Sequence, residues 1–135
     1  MNVQTLDRDH LHHESGVQTQ RLCPWPVLNA PFEGSWFVVH PGTASDPDRH
    51  HDYEMWIAIR GEALIDVDGE RRRFAAGDIL YLPPYTGHRV FNDGDRDFEM
   101  YGVWWDPDLA GRFSERHERE QNEAPVAALQ PETTA

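Results

Sequence analysis

The chain has 135 residues, 39% of them hydrophobic and 27% charged, which fits one globular domain with a core of its own. Its formal charge of −12 at pH 7 opposes phosphate backbones and anionic headgroups, which argues against nucleic acid and membrane surfaces as partners. Every basic residue is Arg and Cys23 is the single cysteine, which removes Schiff-base and P-loop lysine chemistry, internal disulfides and cysteine-based metal clusters, and points to a cytoplasmic protein.

Residues 1–22 are polar, lack the apolar core of a signal peptide and show no sustained periodicity, so they read as a flexible N-terminal segment. His10, His12 and His13 lie in that stretch and read as solvated. The ordered body is expected over 23–113. Runs rich in β-branched and aromatic residues predict strands over 35–40, 54–59, 63–67, 79–82, 88–91 and 98–105. Pro41-Gly42, Arg60-Gly61, Asp68-Gly69, Ala76-Gly77, Pro83-Pro84 and Asp93-Gly94 separate them, and Asp68-Gly69 between ALIDV and ERRRF has the composition of a type I′ hairpin turn. Short strands at steady spacing predict an all-β sandwich or barrel of about eight or more strands. DPDLAGRFSERHERE predicts a short C-terminal helix, and 114–135 read as an acidic tail.

The chemistry concentrates between Gly42 and Asn92. On a strand Asp48, His50, Asp52 and Glu54 share one face, and GDILYLPPYTGHRVFN delivers His88 at the start of another strand. Two imidazoles with neighbouring carboxylates suit one divalent ion such as Fe, Zn, Mn or Ni.

These segments resemble the two motifs of the cupin superfamily, G-x5-H-x-H-x3-E-x6-G and G-x5-P-x-G-x2-H-x3-N, with Gly42, His50, Glu54 and Gly61, then Gly77, Pro83, His88 and Asn92 in register. The resemblance spans about 50 of the 135 residues. It implies a double-stranded β-helix, a jelly-roll barrel with metal and substrate in its mouth, and His50, Glu54, His88 and Asp48 as the ligand set. Asp48 stands where the family has its first histidine, and Tyr85 replaces the glycine of the second motif. His51 is the neighbouring ligand candidate if a bulge slips the register by one. The stretch RVFNDGDRDFEMYGVWWDPDLAGRF is similar to the end of an AraC-type ligand-binding arm.

Trp56 shares a face with Glu54 and is expected in the substrate pocket, with Trp36, Tyr81 and Tyr101 as further lining candidates. Tyr85, Asp52, His40 and Glu99 are the candidates for proton transfer. Arg71, Arg72 and Arg73 read as a solvated or salt-bridging strand face, and the outward row Met55, Ile57 and Ile59 suggests a homodimer. Two functions remain open: a metal-dependent enzyme acting on a small organic molecule (a non-haem metal oxygenase, or a Lewis-acid isomerase, lyase or cyclase), or an AraC-type small-molecule sensor without catalysis and without its DNA-binding domain.

Overall fold

The computed structural model of the chain describes residues 1–123. Nine strands precede one helix: β1 His12–Glu14, β2 Val17–Arg21, β3 Glu33–Val39, β4 Tyr53–Arg60, β5 Glu62–Val67, β6 Glu70–Ala75, β7 Ile79–Leu82, β8 His88–Phe91, β9 Phe98–Trp105 and α1 Pro107–Glu123. They form a six-stranded antiparallel sheet in the order β1-β2-β3-β9-β4-β7 and a three-stranded sheet in the order β6-β5-β8. The segment before β4 extends the small sheet through isolated bridges, Ala44 to Phe91 and Asp48 to His88. The fold is an all-β jelly-roll barrel with a C-terminal helix.

Alternation decides what enters the barrel. On β4 the buried residues are Glu54, Trp56 and Ala58, and the register sets Trp56 beside Gly102 of β9 and Leu80 of β7. Across the barrel Ala63, Ile65, Phe74 and Val90 meet Val39, Leu82, Phe98 and Met100 in one core. Asp68 and Gly69 both have positive φ, +50° and +87°, as a type I′ turn requires. The arginine triplet is a salt-bridging face: Arg71 pairs with Asp66, and Arg73 with both Glu62 and Asp93.

Two boundary expectations need correction. Residues 12–21 are not a flexible lead: they form β1 and β2, and β2 pairs with β3. Residues 1–10 run outside that sheet, where Arg8 clasps Glu99 through two bonds of 2.8 and 3.0 Å. At the other end α1 reaches Glu123, well into the stretch expected as tail, and 124–135 lie outside the described residues.

Candidate metal centre in the barrel mouth

Three elements bring the ligand candidates together. Glu54 enters from the start of β4 and is buried. His50 precedes it in an irregular turn, and His88 opens β8 after the proline turn. The Nε2 atom of His50 lies 2.7 Å from Oε2 of Glu54, and Nε2 of His88 lies 3.4 Å from that same oxygen. Asp48 is directly opposite His88 in an antiparallel bridge, with Oδ2 4.0 Å from the His88 Nε2. One ligand atom from each of Asp48, His50 and His88 falls within 4.8 Å of the others.

Hydrogen bonding sets the direction of both rings. His50 Nδ1 faces the Asp52 carbonyl at 3.2 Å and His88 Nδ1 faces the Thr86 carbonyl at 2.9 Å, so each Nδ1 must donate. A neutral imidazole has one N–H, so its Nε2 is then an acceptor. With both rings neutral, both acceptors point at a carboxylate oxygen, which is itself an acceptor. A cation among the three atoms turns that opposition into favourable bonds, and the residues fit a divalent ion on this ground. The other Glu54 oxygen, Oε1, accepts the Trp56 indole N–H at 2.8 Å, which holds the carboxylate in plane.

The structure also sorts the remaining candidates. Trp56 is inside, with its ring 5.2 Å from that of His88. Asp52 lines the mouth. His51 turns away from the centre towards a rim group with Asp52 and Asp106, which removes the slipped register. Trp36, Tyr81 and Tyr101 are corrections: each falls out of phase with the inward residues of its strand and lies on the outer face of the large sheet. Trp36 packs edge-on against Tyr101, and Tyr81 stacks on Tyr53 in a groove beneath α1. Burial raises the phenol pKa of Tyr101, with no link to the centre.

Among the proton-transfer candidates, His40 sits in the loop after β3 paired with Asp97, and Glu99 lies on the outer face held by Arg8 and Arg60. Neither is at the mouth. Tyr85 is 60% exposed, its ring faces Arg49, and it meets the site through its backbone N–H, which donates to the His50 carbonyl at 2.7 Å. Its φ of +61° shows why a glycine suits this position.

Sequence reading missed the near wall of the cavity. A space of about 240 Å³ beside Asp48, His50 and Glu54 is bounded by Glu14, Ser15 and Arg21 of the N-terminal hairpin and by Ser35, Phe37 and Trp104. A smaller recess of about 50 Å³ continues past Glu54 to Trp56 and His88. The signal was present in VQTQR, where Val17, Thr19 and Arg21 alternate after a Ser-Gly turn.

Residues 35–105 match the family described as Cupin domain (Cupin_2). The chain belongs to the cupin family. A solved cupin 2 conserved barrel domain protein from Salinispora arenicola CNS-205 is 51% identical, with a TM-score of 0.77 over 87% of this chain and 98% of that one. A mannose-1-phosphate guanylyltransferase of Escherichia coli (strain K12) is 25% identical over 117 residues, 79% of this chain and 24% of that protein. Gentisate 1,2 dioxygenase 1 of Aquipseudomonas alcaligenes is 30% identical over 70 residues, 51% of this chain and 19% of that protein. This cupin therefore spans about a quarter or less of the length of those two relatives. No helix among the described residues is long and apolar enough to cross a membrane.

Proposed function

We propose that this cupin is a metal-dependent enzyme acting on a small organic molecule in the barrel mouth, with one divalent ion held by His50, Glu54 and His88 and with Asp48 as the fourth candidate ligand. The observation that carries the reading is the convergence of two Nε2 atoms on Oε2 of Glu54, at 2.7 and 3.4 Å, beneath an open cavity. A bound ion would supply Lewis-acid polarisation of a substrate oxygen or, as iron, activation of dioxygen. The chain's own part is to fix both imidazoles, keep Glu54 aligned through Trp56, and leave the upper side open for substrate. Asp52 lines the same cavity, which supports it as the candidate for proton exchange with a bound molecule. Likeness to a protein named as a dioxygenase supports the enzyme reading over the sensor.

Elemental analysis of protein purified without added metal tests this. About one equivalent of Fe, Zn, Mn or Ni is expected, with iron favouring oxygenation and zinc or nickel favouring Lewis-acid chemistry. His88→Ala should release most of it while the barrel stays folded. Asp48→Ala should match that loss if Asp48 ligates directly, and should weaken affinity roughly 10- to 100-fold if it acts through a ligand. A wild type that binds no ion after loading would overturn the metal reading and leave the sensor. We also propose a homodimer, formed through the outer face that carries Met55 and Ile57 of β4 with Ile79 of β7.

A further inference from the structure

Arg21 is a charged side chain in the metal cavity that the ion does not use. The β2–β3 register pairs Arg21 with Ser35, on the inward phase of both strands, at the end of the barrel where the ligands converge. Its guanidinium carbon lies 5.9 Å from the Trp104 ring centroid, which supports one face of the group. Nε donates to both oxygens of Glu14, at 2.9 and 3.3 Å. Among the described residues, no hydrogen bond engages the two Nη groups.

We propose that Arg21 is the carboxylate-recognition residue of the mouth, and that the ligand this site takes is a small organic acid. The inference deepens the metal-centre reading and rests on it for where the far end of the ligand sits. A guanidinium presents a planar fork whose Nη edge matches a carboxylate, and here the fork is pre-oriented by Trp104 on its face and Glu14 on its Nε. Glu14, Asp48, Asp52 and Glu54 line the cavity and Arg21 is its one arginine; Glu14 takes the Nε and leaves the Nη edge to a ligand. The cavity of about 240 Å³, open above, has room for a small acid beside Arg21. Arg21 and His50 line the same cavity, so an acid held at Arg21 lies in the space that His50 borders.

The test is calorimetric titration of glycolate, benzoate and salicylate, each against its own amide, into metal-free and zinc-loaded protein. At least one acid is expected to bind more tightly than its amide in both states. Arg21→Gln should cut that acid-over-amide preference roughly tenfold or more while amide affinity stays within about twofold, because only the charge-assisted fork is lost. Arg21→Lys should restore part of the preference, and a circular dichroism spectrum unchanged from wild type shows that the barrel remains. The inference is overturned if no acid outbinds its amide in the wild type, or if Arg21→Gln leaves the preference intact. A protein that takes up no zinc, yet loses the preference in Arg21→Gln, keeps the Arg21 assignment and loses the metal reading; the reverse pattern does the opposite.

Discussion

Glu54 is held on both sides, and this organises the centre. Trp56 occupies Oε1 and leaves Oε2 to the histidines, while Gly102 on the neighbouring strand makes room for the Phe37 ring, from which a Cβ would stand 2.7 Å. Trp56→Phe should therefore weaken ion affinity roughly 10- to 100-fold, read by competition with a chelator, because the carboxylate loses the donor that aligns it. His50, Glu54 and His88 were legible because their spacing is local and their chemistry distinctive. Trp36, Tyr81 and Tyr101 were not: whether a strand residue faces in or out depends on its phase, and a shift of one residue exchanges the faces. Arg21 was hidden for a different reason. The alternation in VQTQR marks a strand and its inward phase, but the cavity that Arg21 lines is built mainly by segments far along the chain.

The N-terminal hairpin docks through the pairing of β2 with β3 and through a turn that only glycine fits. Gly16 has a φ of +83°, and a Cβ there would stand 2.7 Å from the Ala44 carbonyl oxygen and 2.9 Å from the Asp46 nitrogen. Gly16→Ala should cost more than about 1 kcal/mol by denaturant unfolding, since neither the conformation nor the contact admits a side chain. The chain ahead of the hairpin is fastened by Arg8 on Glu99, a carboxylate only 2% exposed. Arg8→Ala leaves that carboxylate with Arg60 at 3.6 Å, so a lower thermal midpoint and faster proteolysis ahead of residue 12 are expected. On the small sheet Arg73 holds the Asp93 carboxyl below its ordinary range. That contribution is present above the unfolded carboxyl pKa and is lost as pH falls through the lowered value. Strands β3 to β9 were legible from alternation and turn residues, whereas β1 and β2 lack the apolar density that marks a strand, being stabilised by pairing with β3 and by the turn's seat on residues 44–46.

Taken as a molecule, the chain is a barrel with a mouth at one end and an apolar outer face on the large sheet. Ile79 is 62% exposed and Tyr81 54%, on the same face as Met55 and Ile57. Sedimentation at tens of micromolar is expected to give a dimer, and a charged substitution, Ile79→Glu, should yield monomer with metal content unchanged. The ligand set lies inside the stretch that matches the family, residues 35–105, while Glu14, Ser15 and Arg21 lie before it. On the proposed reading the ion's ligands and the carboxylate contact therefore sit on separate lengths of chain, with Ser35, Phe37 and Trp104 of the cavity wall belonging to the matched stretch. A change confined to the leading hairpin would then reshape one wall of the mouth without touching His50, Glu54 or His88.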